Sequence, residues 1–218
     1  MDYTVYKSKR KTIRLVIRAD GTLAVYCPKT CTKKYLDEVV KKHYPSLKEK
    51  HEARGNALFG DGEPTLPYLG KRYPIIYSNE RKFRFAGDSF VSPSRDTEVI
   101  RSLYREFLRA ETKKIVPPLV RSFAEQFGFD YGKISIKAIY SRYGSCSSKK
   151  NLNFTLVLAA YELDYIKMVV AHELCHTVHF NHGTQFYSLL DKVFPHHKEV
   201  KARDKKAKSQ ILKAVFFN

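Results

Sequence analysis

The stretch VVAHELCHTVHFNH, Val169 to His182, sets His172, Glu173 and His176 in an HExxH pattern, with His182 six residues further on. Residues four apart on an α-helix lie one turn apart on the same face. Two imidazoles placed so can grip one metal ion, and the glutamate between them stands close enough to act on water at that ion. The spacing therefore predicts a helix from about Glu162 that presents a metal site. Val170, Leu174 and Val178 fall on the other side and are read as its anchor in the core. A buried helix whose histidines meet only local hydrogen bonds is the competing reading, and two histidines and a glutamate without basic partners make it costly.

The third ligand is either His179 or His182. His179 is about 10 Å of helical rise beyond His172, whereas ligand nitrogens on one zinc ion sit only about 3 Å apart. Asn181 and Gly183, on either side of His182, permit a helix stop and a chain reversal. His182 is therefore preferred, with His179 flanking the site. Three neutral imidazoles leave a fourth position for water and favour zinc over magnesium or calcium. Glu173 is then the general base and later the proton donor. The oxyanion stabiliser is to be sought among Arg142, Tyr143, His179 and Tyr187. A closed structural site through Cys175 is disfavoured, because that residue is only three along from His172 on a rigid turn.

Upstream, NLNFTLVL (Asn151–Leu158) alternates apolar Leu152, Phe154, Leu156 and Leu158 with polar Asn151, Asn153 and Thr155. It reads as a strand with one core face, either an inner strand or an exposed edge able to pair with an extended peptide. A small-residue loop, Gly144 to Ser148, precedes it. Ile134, Ile136, Ala138 and Tyr140 alternate in an earlier strand.

The first third reads as antiparallel sheet. Alternating runs surround a turn at Asp20-Gly21, and strand-like segments recur at Tyr68–Tyr77 and Lys82–Val91 around Gly87-Asp88. A helix is expected over Thr32–Tyr44, ended by Pro45. A longer one carries Ile100, Leu103, Tyr104, Phe107 and Leu108 to a break or kink at Pro117-Pro118. A further helical piece runs from Leu119 to Phe127 and is capped by Gly128. The lysine-rich tail after Pro195 is helical near its end. The pattern gives an α+β chain, with a β-rich region over 1–93 and a metallohydrolase domain over 94–218.

Composition bounds the rest. No apolar run is long enough to span a bilayer, and the polar start, Met1 to Lys11, lacks the apolar segment of a secretory signal, so a cytoplasmic protein is expected. The four cysteines show no disulfide framework, and nothing nearby completes a second metal site with Cys27 and Cys31. A net charge of +18 admits nucleic acid, nucleotide, anionic lipid or acidic substrates as partners.

Taken together, SRYGSCSSKKNLNFTLVLA and VVAHELCHTVHFNHGTQFYSLL resemble the YgjP-like metallopeptidase family. That family shows an Arg-Trp-Gly-Ser-Cys loop, an Asn-rich strand, HELxH, and Asn-His followed by an aromatic pair. Here these are Arg142–Cys146, Asn151–Asn153, His172–His176, Asn181-His182 and Phe186-Tyr187, and the likeness is strongest over 134–190. It implies a zincin-like (minigluzincin) fold with an HExxH active-site helix, one zinc on His172, His176 and His182, Glu173 as catalytic base, and a peptide or protein substrate. The spacing is similar to that of WLM and SprT-like proteases, which relate to DNA–protein crosslink repair. Some family members are described as nucleoside triphosphate pyrophosphatases, which is the alternative hydrolase reading. A nucleic-acid-binding protein with structural zinc is the non-enzyme reading. Tyr143 stands where the family has tryptophan, and His196-His197 are read as surface residues.

Overall fold

The computed structural model describes residues 3–17, 22–59, 64–139, 141–203, 211 and 215. In chain order its strands and helices begin with β1 (Tyr3–Ser8), β2 (Arg14–Ile17), β3 (Leu23–Pro28) and α1 (Lys33–Phe59). There follow β4 (Thr65–Tyr68), β5 (Lys71–Tyr77), β6 (Arg84–Phe85), β7 (Phe90–Ser92) and α2 (Thr97–Phe127). The remainder is β8 (Ile134–Lys137), β9 (Gly144–Cys146), β10 (Leu152–Thr155), a 3-10 turn (Leu156–Ala160), α3 (Leu163–Cys175), α4 (Thr184–Val193) and α5 (His197–Arg203). Among the described residues this is a mixed α+β arrangement of three small sheets and five helices. None of those helices is long and apolar enough to cross a membrane.

The first sheet has the order β1-β3-β2 and the second β4-β5-β7-β6. β2 pairs antiparallel with β3, as two runs joined by a turn predict, with Leu15 opposite Val25; the turn expected at Asp20-Gly21 lies outside the described residues. Both sheets are nevertheless mixed, because β1–β3 and β5–β7 are parallel. Alternation reports which face a side chain takes, not the direction of the neighbouring strand. The run Tyr68–Tyr77 is not one strand. It reverses at Leu69-Gly70, both at positive φ, into the antiparallel β4–β5 hairpin. Gly87 (φ 101°) turns β6 into β7, as expected.

The helices correct two expectations. α1 continues through Pro45, and α2 runs unbroken through Pro117 and Pro118. An interior proline costs roughly 3 kcal/mol, but α2 is gripped on both sides of the pair. Ile100, Tyr104, Leu108, Thr112, Val116, Val120 and Ala124 are all buried along it. Its ends follow the rules: Asp96 Oδ1 accepts the Glu98 and Val99 N–H groups at 2.9 Å, and Gly128 caps the other end at φ 70°.

The strand expected over Asn151–Leu158 stops at Thr155. β10 is the middle strand of the order β8-β10-β9, parallel to β8 and antiparallel to β9, so the edge-strand reading is overturned. The segment read as a loop from Gly144 supplies that edge as β9. Beyond Thr155 the chain tightens into the 3-10 turn, and all five of its residues are buried. Buried backbone polar groups need partners, and neighbouring elements provide them. The Thr112 hydroxyl donates to the Leu156 carbonyl at 2.8 Å and accepts the Ala159 N–H at 3.2 Å. The Leu69 and Gly70 N–H groups donate to the Ala159 and Ala160 carbonyls at 2.9 and 3.2 Å.

One apolar core gathers Leu66, Ile75 and Phe90 with α2, β10, the 3-10 turn and α3; a smaller one holds Leu23, Val25, Cys27, Leu36 and Val40. Thr112→Val fills the same space but strands two buried backbone groups. It is expected to lower unfolding free energy by about 1–3 kcal/mol in urea titrations, with Thr112→Ser near wild type.

Candidate metal centre

α3 delivers His172 and His176 to one side one turn apart, while Val170 and Leu174 are fully buried on the other. The helix ends sooner than Asn181 suggests. His176 is its C-cap, and the Thr177 hydroxyl donates to the Leu174 carbonyl at 2.8 Å. Val178 and His179 N–H groups both bond the Cys175 carbonyl, tightening the last turn. Val178 therefore falls outside the helix and is 54% exposed, not a core anchor.

The reversal brings His182 back. Its Nε2 lies 3.1 Å from the Nε2 of both His172 and His176, and those two are 3.2 Å apart. His179 is not in this triangle. Its backbone carbonyl faces His176 Nδ1 at 3.0 Å. A carbonyl can only accept, so Nδ1 carries the proton and Nε2 keeps its lone pair for a ligand. Burial and the neighbouring imidazoles pull the His172 pKa down to about 3, and burial lowers that of His176. Both rings are held neutral, the form that binds metal. Three ring nitrogens converge on an edge close to the roughly 3.3 Å expected between nitrogens of a tetrahedral zinc site with bonds near 2.05 Å. The donor set fits a metal ion, and it is the one such cluster found among the described residues.

Glu173 faces β9 and is 5% exposed. Its Oε2 is buried without a hydrogen-bond partner among the described residues. Burial pushes its pKa up to about 8, against the pull of Arg142. Room for the carboxylate comes from Gly144 on β9. A Cβ there would lie 2.6 Å from both Glu173 Cγ and Oε1. A glycine inside a strand marks such a close approach; reading this stretch as a loop hid the signal.

These residues line a cleft of about 560 Å³, walled by Ser141–Cys146, α3, α4 and α5. Of the oxyanion candidates, Arg142, Tyr143 and Tyr187 line it. Tyr143, at the position expected to hold tryptophan, has its hydroxyl 3.2 Å from that of Tyr161 and packs in a triangle of rings with Tyr161 and Tyr165. His197 corrects another expectation. It is 4% exposed, its Nε2 lies 2.9 Å from Asp191 Oδ1, and its ring stacks 6.2 Å from Tyr187. It joins α5 to α4 at the cleft, a contact across Pro195 that no sequence spacing announces. Cys175 is buried, with its thiol pushed up to about 12, and takes no part in the triangle.

A family model described as "YgjP-like, metallopeptidase domain" matches residues 11–206. The chain belongs to the YgjP-like family. Membership implies a peptidase, and with the histidine triangle it suggests a metal ion. Among solved structures, the metallopeptidase zymogen of Pyrococcus abyssi abylysin is similar at 20% identity and a TM-score of 0.39, over 42% of this YgjP-like chain and 93% of the other. No curated protein matches.

Two outcomes follow from the Glu173 environment. Gly144→Ala overpacks the carboxylate and is expected to cost about 1–3 kcal/mol. Glu173→Ala, which removes the clashing atoms, should recover most of that loss in a double-mutant cycle measured by denaturation. The second concerns pH. Glu173 titrates near 8 when folded against 4.5 ordinarily, so its protonated form contributes stability that is complete below about 4.5 and lost as pH rises through about 8. His172, lowered from 6.5 to about 3, works in the opposite direction but only below about 6.5. Melting temperatures of chelator-treated protein should therefore fall between pH 6.5 and 8, and Glu173→Gln should flatten that fall.

Proposed function

We propose that this chain is a zinc-dependent peptidase in which His172, His176 and His182 hold the ion and Glu173 is the general base. The observation that carries the reading is the triangle of three imidazole nitrogens beside a buried, unpartnered carboxylate. Three imidazoles without a carboxylate ligand suit zinc better than magnesium or calcium. When bound, zinc supplies Lewis-acid polarisation of an acyl oxygen and acidifies water.

The remaining work falls to the protein. Glu173 takes a proton from the attacking water onto its carboxylate and passes it to the leaving amine nitrogen. Burial raises the carboxyl's hold on a proton, and a bound cation would oppose that rise. Arg142, the cation felt by that carboxylate, keeps its ionised form accessible. The backbone of β9, at the edge of its sheet beside the cleft, is placed to pair with an extended peptide. Arg142 and Tyr187 both line the cleft and are the candidates for steadying the oxyanion. The Tyr143 hydroxyl is engaged with Tyr161, and the His179 backbone with His176. The zincin-like fold implied by the family resemblance accommodates this division of labour.

The test is a parallel screen of the zinc-loaded protein and its Glu173→Gln variant on unfolded proteins, DNA–protein crosslinks and nucleoside triphosphates. Glu173→Gln is expected to retain about one zinc per chain and to lose roughly 10²–10⁴-fold in peptide turnover. His176→Ala is expected to lose the zinc. Full activity in the glutamine variant would refute the role of Glu173, and turnover confined to nucleotides would replace the peptide substrate.

A further inference from the structure

The first sheet has a face that the cleft does not use. β3 turns Leu23, Val25 and Cys27 toward Leu36 and Val40 of α1. Its intervening residues lie on the opposite face. The register places Tyr6 of β1, Tyr26 of β3 and Arg14 of β2 in one row across all three strands. Thr4, Ala24 and Val16 form the next row on that face. The rings of Tyr6 and Tyr26 stack at 5.0 Å and 22°, and Tyr6 remains 37% exposed. The Arg10 guanidinium lies 5.9 Å from the centre of the Tyr26 ring, and its buried Nε has no hydrogen-bond partner among the described residues.

The charge around this row is one-sided. The run KSKRKTIR, Lys7 to Arg14, holds five cations, and residues 3–17 contain no acid. Lys7 is occupied, donating to the Cys31 carbonyl at 3.0 Å. Lys9 and Arg14 are exposed, and Arg14 stands opposite Tyr26. Lysines alone would describe any anionic surface. Aromatic rings set in a basic sheet face, with an arginine laid on one of them, match a ligand that alternates phosphates with flat rings.

We infer that this face binds single-stranded nucleic acid without sequence preference. Lys9 and Arg14 contact the phosphate backbone, and Tyr6, backed by Tyr26 and Arg10, receives a base. The proposal is independent of the peptidase reading, since none of these residues lines the cleft. Its function would be to hold the chain on nucleic acid while the cleft acts elsewhere.

The experiment is fluorescence anisotropy of the full-length chain with labelled oligothymidine and oligouridine across a salt series. Inorganic polyphosphate and vesicles containing phosphatidylserine serve as comparators. Tyr6→Ala is expected to weaken binding of both oligonucleotides about tenfold or more and to leave polyphosphate binding unchanged. Lys9→Glu/Arg14→Glu is expected to weaken all polyanion binding and to flatten the salt slope by about two phosphate contacts. Circular dichroism verifies that both variants fold, and their zinc content and peptide turnover should match wild type. Oligonucleotide affinity unaffected by Tyr6→Ala, or no tighter than that for polyphosphate, would overturn the proposal. So would vesicle binding that survives while oligonucleotide binding is absent.

Discussion

The backbone of β9 lies so close to α3 that position 144 has no space for a side chain, because the Glu173 carboxylate occupies it. Much of the centre depends on this contact. It sets the distance between the sheet edge and the HExxH helix, and hence the width of the cleft. It also holds an acidic group in a place where water cannot freely solvate it. Ionising a buried carboxyl is unfavourable, and the pKa rises accordingly. That cost is offset by the surrounding core, where Val170, Ala171, Leu174 and Cys175 are fully buried. The helix cannot rotate to expose Glu173 without pulling those residues into solvent.

The histidines answer to a different constraint. Their arrangement needs a helix that ends immediately after the second imidazole, because a continuing helix would carry the chain away. Thr177 and the tightened turn end it, and the freed His179 carbonyl fixes the His176 tautomer. The residue seven along from His172 thus contributes through its backbone, and the residue ten along through its ring. Both roles come from the same two or three residues of reversal.

This part of the molecule was legible in the sequence because it follows from helical pitch and rise, which are the same in every protein. His179 could be set aside on helical rise and His182 preferred for the reversal that Asn181 and Gly183 permit, and Gly128 could be read as a cap because the left-handed conformation favours glycine. Features set by tertiary packing were not legible. Pro45, Pro117 and Pro118 announce helix ends, yet both helices continue, α2 with buried Val116 and Val120 on either side of its pair. The alternation of NLNFTLVL reads as one strand, but its last residues coil into a turn whose polar groups are met by Thr112 and the β4–β5 hairpin, distant in sequence. Gly144 is small for the sake of a residue 29 positions later, and His197 is buried by a partner on another helix.

Along the long helix α2, buried residues recur at every fourth position from Ile100 to Ala124. Four residues exceed one turn by about 40°, so the buried line winds around the helix rather than running along it. Successive turns consequently meet different neighbours. The Tyr104 hydroxyl donates to the Pro67 carbonyl of β4, Tyr68 donates to Glu111, the Arg109 guanidinium reaches the Ile136 carbonyl of β8, and Thr112 holds the 3-10 turn. A helix about 46 Å long thus serves as an axle, with the hairpin, the turn and the small sheet mounted around it at different angles. Rotational slip of that axle would disturb all three together, so the angular alignment of parts far apart in the chain is kept by one continuous segment.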